Sequence, residues 1–181
     1  MKLSLKLKIS IFLILIISIP LSISGLISYN MASQSLQHEI ETQLINTTGA
    51  AANSIDVALE DAARYLQIAS KNDTLSKLTL NPADKSIKTN AYQYLSNFQK
   101  DNAAQFESLV IADKDGNAIV TNQTEAPAIN VKDREYFQTA LQGKNAISDV
   151  ILSKVTNTHV VAIAHPLVNN GNTTGVLIGT V

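Results

Sequence analysis

The sequence predicts an α+β protein in which an N-terminal transmembrane helix leads into a long helix and then a five-stranded antiparallel sheet with short helices. Three observations predict this class: an apolar run without charges at residues 9–29, a helical periodicity over residues 30–70, and alternating apolar patterns after residue 105. The expected division is therefore a cytoplasmic tail at residues 1–8, a membrane span at 9–29 and an exported domain at 30–181.

The membrane span is predicted from length and flanking charge. The run "ISIFLILIISIPLSISGLIS" supplies 20 mostly apolar residues, enough for a helix to cross a hydrocarbon core of about 30 Å. Lys2, Lys6 and Lys8 precede it, which keeps the N-terminus cytoplasmic and places the residues after the span outside the cytoplasm. A cleaved signal peptide is the alternative, but its apolar region would be about 7–15 residues long and "ISGLIS" is a poor cleavage site. We expect an uncleaved anchor, in contact with lipid, in the cell membrane.

Residues 30–70 are predicted to form one long helix, because no proline interrupts them and apolar residues recur at three- and four-residue steps. These residues are Leu36, Ile40, Leu44, Ala51, Ile55, Leu59, Ala62, Leu66 and Ala69. Such a helix exceeds the usual globular length and favours a stalk or a homodimer formed through it. A helix that packs along its own domain is the alternative, and the two are compatible.

The remainder is predicted to form a sheet subdomain at residues 86–181, after a break at "NPAD". A helix comes first, a hairpin with a "KDG" turn follows, and after a loop at 123–132 a helix of about ten residues ends at Gly143. Three strands complete the sheet, separated by the turn-rich stretches "KVTNT" and "VNNGNTT". The predicted elements are the helix 86–101, the hairpin strands 106–113 and 117–122, and the strands 146–153, 159–167 and 175–181.

Composition excludes several classes of function. The net charge is −1, and no basic cluster follows the first eight residues, so a nucleic-acid partner is not expected. The chain has no cysteine, which excludes disulfides, thiolate chemistry and zinc sites built on sulfur. His159 and His165 share a strand face but lie about 20 Å apart. "DKDGN" lacks the glycine position of a calcium loop and favours a hairpin turn. We expect neither an enzyme nor a metal or cofactor.

The stretch "DREYFQTALQG" at residues 133–143 carries the strongest candidate for binding. An arginine beside an aspartate on a short helix is commonly an exposed ion pair that contributes at most about 1 kcal/mol. The alternative is that Arg134 binds a ligand, since a guanidinium can donate two parallel hydrogen bonds to a carboxylate and lysine cannot. The residues of this stretch alone favour the exposed pair.

The order of several segments resembles a known receptor family. The lysine-flanked span and "YNMASQSLQ" resemble the start of bacterial methyl-accepting chemotaxis proteins. "LVIADKDGNAIVTN", "VKDREYFQTALQGKNAISDVILSKVTNTHVVAIAHPL" and "GVLIGTV" together resemble the membrane-distal half of a double CACHE sensor domain. The resemblance covers nearly the whole chain, and its specific part extends from "DREYF" to "AHPL". It implies a PAS-like fold with a ligand pocket in this half.

The resemblance also implies a set of ligand-binding residues. In relatives that bind amino acids, an Arg-x-Trp-Tyr motif and a later strand aspartate hold the carboxylate and the ammonium group. Arg134 matches the arginine, Tyr136 replaces the tryptophan, and Phe137 replaces the tyrosine. We expect Phe137 to be mainly a core residue, with ligand contact as its second role. Thr180 stands at the aspartate position and carries no charge. Asp133, expected to orient Arg134, and Asp149 on the next strand complete the candidate set.

These matches imply the extracytoplasmic ligand-sensing part of a chemoreceptor that binds a small solute, with a carboxylate as one fitting group. Histidine kinases and cyclases share such sensors and are alternatives, as is a structural stalk or adhesion domain anchored in the membrane. A complete receptor would add a membrane-proximal CACHE half, a second span and a cytoplasmic signalling region. The chain is therefore expected to be truncated before that second half.

Overall fold

A computed structural model of the chain describes residues 5–122 and 128–181. Residues 1–4 of the predicted tail and residues 123–127 of the predicted loop lie outside the described ranges. The elements in chain order are α1 (Leu5–Ser70), α2 (Asp73–Leu80), α3 (Lys85–Asp101), β1 (Ser108–Asp113), β2 (Ala118–Thr121), α4 (Glu135–Leu141), β3 (Ala146–Leu152), β4 (His159–Asn169) and β5 (Asn172–Thr180). The predicted α+β class is confirmed.

The chain divides into two units, Met1–Ser54 and Ile55–Val181. The first unit consists of the N-terminal part of α1, and its large apolar side chains from Ile9 to Ile45 are exposed where the structure describes them. The described residues contain one helix that is long and apolar enough to cross a membrane, and its apolar window lies near the N-terminus.

Two helices connect α1 to the sheet, and only one of them was predicted. Helix α3 begins at Lys85 after Asp84, whose carboxylate accepts hydrogen bonds from the backbone N–H groups of Ser86 and Ile87. Helix α2 was not assigned from the sequence, although Asn72 caps it by accepting a hydrogen bond of 2.9 Å from the Thr74 N–H. Asparagine is among the preferred residues at such a cap.

The second unit is built on one five-stranded sheet with the order β2-β1-β5-β4-β3 and antiparallel pairing throughout. The β4–β5 hairpin is tighter than expected, because Asn170 and Gly171 alone form its loop, with Asn169 paired to Asn172. Both loop residues have positive φ, 49° and 79°, which is the conformation that favours an Asn-Gly pair. The prediction that residues 168–174 separate two strands is therefore wrong.

The sheet has two covered faces, because successive strand residues point to opposite sides. We call the side covered by the C-terminal part of α1, α2 and α3 the helix face. Its buried residues include Leu66, Leu75, Leu78, Leu95, Phe106, Leu109, Ile111, Ile163, Leu167 and Leu177. Packing is so close there that a Cβ atom on Gly179 would lie 2.8 Å from the Phe106 ring, so glycine is required at that position.

We call the opposite side, covered by α4, the groove face. Its strand residues are smaller, and the buried set is Val110, Ala112, Val131, Tyr136, Phe137, Ala140, Ala162, Ala164, Val176 and Ile178. Small strand residues allow α4 to approach the sheet closely. The candidate site lies on this face, because the predicted residue Arg134 directly precedes α4.

Candidate binding site on the groove face

Helix α4 positions the predicted arginine. Tyr136, Phe137 and Ala140 form its buried side, and Phe137 is fully buried in the core. Arg134 is the N-cap residue and has an extended backbone, with φ of −87° and ψ of 130°. Its side chain makes no cap hydrogen bond, so the guanidinium extends away from the helix toward β3.

The Arg134 guanidinium contacts β3 rather than a carboxylate. Its Nη2 donates a hydrogen bond of 3.2 Å to the carbonyl oxygen of Leu152. Its Nε is buried and has no hydrogen-bond partner within the described residues, which leaves a donor unsatisfied. Asp133 pairs with a different residue. The exposed Asp133–Arg134 ion pair is therefore not formed, and the prediction that Asp133 orients Arg134 is not supported.

Asp133 instead binds Lys154, a residue that the sequence analysis did not select. Lys154 Nζ lies 2.6 Å from Asp133 Oδ1 and also donates a hydrogen bond of 2.8 Å to the carbonyl oxygen of Asn130. The hydrogen bond from Lys154 is the largest cause that lowers the pKa of Asp133 below its usual value. The segment before α4 is thus joined to the β3–β4 loop.

The β3–β4 loop, residues 153–158, is closed by its own hydrogen bonds. The Ser153 hydroxyl accepts hydrogen bonds of 3.2 Å from the N–H groups of Val155 and Thr156, and Asn157 N–H donates to the Ser153 carbonyl oxygen at 3.1 Å. Asn157 has a positive φ of 59°, which asparagine tolerates better than most residues. The stretch "KVTNT" carries only the signal of a turn between strands, so it does not single out Lys154 as a binding residue.

A small apolar cavity lies between this loop and the sheet. Its volume is about 20 Å³, which holds about one water molecule. Aliphatic side chains form most of its wall, namely Val110, Ile129, Val131, Ile151, Val155, Val160 and Ile178. Tyr136, Ser153, Lys154 and Thr180 contribute its polar groups.

An open groove of about 600 Å³ adjoins the cavity. Tyr136 and Ile151 line both spaces. The groove brings together four of the predicted residues, Asp133, Arg134, Tyr136 and Asp149, with the polar residues Thr139, Asn145 and Ser148 beside them. The other two predicted residues lie elsewhere, since Phe137 is in the core and Thr180 lines the cavity.

Thr180 lines the cavity, and its hydroxyl is hydrogen-bonded to Ser108 behind it. The two side-chain oxygens are 2.9 Å apart, and the Ser108 N–H donates to Thr180 Oγ1 at 3.2 Å. Both residues are buried. The position at which the resemblance implies an aspartate is therefore occupied by a hydroxyl pair, and no carboxylate is among the described residues that line the cavity.

Tyr136 and Asp149 place further polar groups in the groove. Burial raises the pKa of Tyr136, and the nearby positive charge of Arg134 partly offsets that rise. Asp149 is exposed and lies at a β-bulge, because the register shifts between Ile147 and Val150. A bulge redirects side chains relative to a regular strand. Ser148 supports this bulge by accepting a hydrogen bond of 2.9 Å from the Ala162 N–H.

Metal-binding geometry is not found in the part of the chain that the structure describes, where no three His, Cys, Asp or Glu side chains could hold one ion. His165 is buried and His159 is exposed at the beginning of the same strand. Burial lowers the pKa of His165 below its usual value, and a hydrogen bond to the backbone of Ala63 partly offsets this effect. The groove therefore offers an arginine and carboxylates, and Lys154 lines the adjoining cavity.

A family profile described as "Cache domain" matches residues 30–181. No curated protein matches the chain with significance. Several solved structures do. The sensor domain of the histidine kinase DctB from V. cholerae is 20% identical with a TM-score of 0.68, over 81% of this chain and 56% of that one.

Two ligand-binding domains are also similar, and one of them is from the chemoreceptor CtaA. That of CtaA from Pseudomonas fluorescens, in complex with L-serine, is 16% identical with a TM-score of 0.58, over 80% of this chain and 60% of that one. That of Mlp24, with asparagine, is 16% identical with a TM-score of 0.58, over 78% of this chain and 56% of that one. The chain thus spans 56 to 60% of the length of these chains. Because the profile covers most of the sequence, the chain belongs to the Cache domain family.

Proposed function

We propose that this chain is the extracytoplasmic ligand-sensing part of a bacterial transmembrane receptor and that it binds a small carboxylate with an apolar tail. The observation that carries the proposal is the pair of cations, Arg134 and Lys154, beside an aliphatic cavity. Arg134 has a buried Nε without a partner, and a ligand oxygen would satisfy it. Leaving such a donor unsatisfied costs about 1–3 kcal/mol or more for a charged group.

The apolar tail follows from the cavity wall. Seven aliphatic residues surround the space above Thr180, and burial of a ligand tail there contributes about 25 cal/mol per Å² of apolar surface. The hydroxyl pair of Ser108 and Thr180 has no charge to hold an ammonium group. An unpaired ammonium in that position would be strongly destabilised, so the proposed ligand lacks one at the end that enters the cavity.

Amino acids are the competing ligand class. Structures of CtaA with L-serine and Mlp24 with asparagine are among the similar folds. Asp149 in the groove supports this alternative, because an exposed carboxylate there can accept a hydrogen bond from an ammonium group. The two classes differ in one substituent, and a matched pair of ligands separates them.

The binding experiment compares 3-methylbutanoate, L-valine and 3-methylbutanamide by calorimetry on the full chain in detergent micelles. We expect 3-methylbutanoate to bind, the uncharged amide to bind at least tenfold more weakly, and L-valine to bind no more tightly than 3-methylbutanoate. If L-valine binds more tightly and Asp149→Asn removes the difference, the amino-acid alternative is correct. If none of the three binds, the proposed ligand class is wrong.

Arg134→Ala should weaken 3-methylbutanoate binding by about thirtyfold or more, because loss of one partner of a desolvated charged hydrogen bond costs about 2–5 kcal/mol. Arg134→Lys should also weaken it, since lysine cannot donate two parallel hydrogen bonds to one carboxylate. Arg64→Lys is the matched control, because Arg64 is exposed and its nearest carboxylate, that of Asp61, is 3.8 Å away. Unchanged affinity in Arg134→Ala would contradict the assignment of Arg134.

We further propose that the receptor is a chemoreceptor, with a histidine kinase or a cyclase as the alternative output. The N-terminal sequence and the likeness to CtaA support chemotaxis, and the likeness to DctB supports the kinase. Deletion of the gene should abolish swimming toward or away from the bound ligand without affecting motility. Normal chemotaxis with a lost transcriptional response would favour the kinase.

Two assembly proposals accompany this function. Residues 9–29 span the membrane uncleaved, which the apolar helix supports; a mature protein that begins near residue 25–30 would overturn it. Residues 30–70 form a homodimer, which the exposed Leu36, Ile40 and Leu44 support because long helices are seldom stable alone in water. Single cysteines along these residues should cross-link with helical periodicity, and uniform failure would contradict the dimer.

A further inference from the structure

Three hydrogen bonds join the segment before α4 to the end of β3 and the loop that follows it. Arg134 donates to the Leu152 carbonyl oxygen at 3.2 Å. Lys154 binds the Asp133 carboxylate at 2.6 Å and the Asn130 carbonyl oxygen at 2.8 Å. Each of these bonds involves a residue that lines the groove or the cavity, namely Arg134 or Lys154. The loop at residues 153–158 is thereby held over the aliphatic wall.

The cavity beneath this loop is too small for the ligand class proposed above. A volume of about 20 Å³ accommodates about one water molecule and no branched aliphatic group. A ligand tail can enter only if part of the wall moves outward, and the loop contributes Ser153, Lys154 and Val155 to that wall. Movement of the loop away from α4 must break the contact between Lys154 and Asp133, since that ion pair joins the two.

The same movement must also break the hydrogen bond of 2.8 Å from Lys154 to the Asn130 carbonyl oxygen, whereas the bond from Arg134 ends on Leu152 of β3 and can remain. The hydrogen bonds of Ser153 lie within the loop and move with it. Outside the loop, Thr158 donates to the Glu107 carboxylate at 3.1 Å, and Val155 packs at the edge of the groove-face core. The loop can therefore be displaced as a unit.

We propose that Asp133 is an internal competitor of the ligand: its carboxylate occupies the Lys154 ammonium group in the closed protein, and a ligand carboxylate replaces it as the loop opens. The inference rests on the proposed function, because it assumes that Lys154 receives the ligand anion. Asp133 and a ligand carboxylate present the same chemical group to Lys154, so one can substitute for the other without leaving the ammonium group unpaired. This competition would select for ligands whose anionic group binds Lys154 at least as strongly as the Asp133 carboxylate does.

The predicted effect on binding has a definite sign. In Asp133→Asn the competitor loses its charge while its size is retained, so 3-methylbutanoate should bind about two- to fivefold more tightly, the range expected for removal of an exposed ion pair. Lys154→Gln should bind it more weakly. In a protein that already carries Lys154→Gln, adding Asp133→Asn should not change the affinity for 3-methylbutanoate further. No ammonium group remains for which Asp133 and the ligand could compete. Tighter binding distinguishes a competitor from a residue that holds Lys154 in place for the ligand.

Hydrogen exchange of the loop amides, measured without ligand on the full chain in micelles, tests the closed state separately. Asp133→Asn and Lys154→Gln should both accelerate exchange at residues 153–158. Asp115→Asn is the matched control, since Asp115 forms a similar exposed pair with Lys132 at 3.3 Å and neither residue lines the groove or the cavity. The control should change neither loop exchange nor ligand affinity.

The proposal is overturned if Asp133→Asn weakens 3-methylbutanoate binding or leaves it unchanged, or if loop exchange is not accelerated. Failure of the proposed function gives a different result: no variant binds 3-methylbutanoate, while loop exchange still responds to Asp133→Asn. In that case the ion pair closes the loop but has no ligand to compete with, and the role of Asp133 as a competitor is overturned as well.

Discussion

The two faces of the sheet are built from the same strands and differ in how they are packed. On β1 and β5, Leu109, Ile111 and Leu177 point to the helix face, while Val110 and Val176 point to the groove face. The larger residues fill the helix face together with Phe106 and three helices. The smaller ones leave room for α4, the cavity and the groove. Function is therefore expected on the face whose packing is incomplete, and stability on the other.

The largest expected effect is on the helix face. Phe106→Ala should lower the free energy of unfolding by about 3–5 kcal/mol, because it empties a fully buried ring position. Tyr136→Phe is the companion on the groove face and should cost less than about 1 kcal/mol, since the Tyr136 hydroxyl has no hydrogen bond to the described residues. Chemical denaturation followed by near-ultraviolet circular dichroism measures both. Similar losses in the two variants would contradict the division between the faces.

A second, smaller effect concerns ligand selection in the cavity. Thr180→Asp should admit L-valine at least tenfold more tightly than the unmodified protein does, because a carboxylate there can pair with the ammonium group. The same variant should be less stable without ligand, since a charge replaces a buried hydroxyl beside Ser108. Thr180→Asn is the uncharged control. If both variants respond alike to L-valine, the carboxylate is not responsible and Thr180 does not face the ligand.

The smallest effect is a pH dependence that arises on the helix face. Burial holds the pKa of His165 below its usual value, so the unfolded chain, with a pKa of about 6.5, binds the proton more readily. The free energy of unfolding should therefore be fully retained above about pH 6.5 and fall as the pH decreases through that value. The charged residues that line the adjoining clefts are Glu60, Arg64 and Lys71.

His165→Gln should remove this part of the pH dependence. The measurement is the free energy of unfolding by chemical denaturation between about pH 5 and 8, the range in which histidine titrates. His159→Gln, at the exposed end of the same strand, controls for the loss of an imidazole. A pH dependence that persists unchanged in His165→Gln would assign it to other groups.

Strong local signals made most of the fold predictable. The alternating strands around "KDG", the helix that ends before Gly143 and the helix over residues 30–70 were predicted from periodicity and turn residues. Helix α2 was missed because it has only 8 residues, too few for a clear repeat, although Asn72 gives it a cap. The two-residue turn at Asn170 and Gly171 was predicted as a longer loop, because polar residues that belong to the strands flank it on both sides.

The candidate site was predictable only in part. Asp133, Arg134, Tyr136 and Asp149 do line one groove, but Lys154, the ion-pair partner of Asp133, was not predicted. Whether these groups bind a ligand stays a prediction, as do the division of the chain at residue 30 and the dimer. A lysine in a polar turn has no sequence signal that separates it from any solvated lysine.

The sequence by itself determined the class of the fold, because hydrophobic periodicity and turn residues act over a few neighbouring positions and need no knowledge of distant ones. Only the tertiary structure decided which charges meet. Asp133 binds a lysine 21 positions away, and Arg134 binds a carbonyl oxygen 18 positions away. Both contacts exist because β3 and its loop return beside α4. A charged group pairs with a group that lies within about 4 Å of it in space, and separation along the chain does not reveal which group that is.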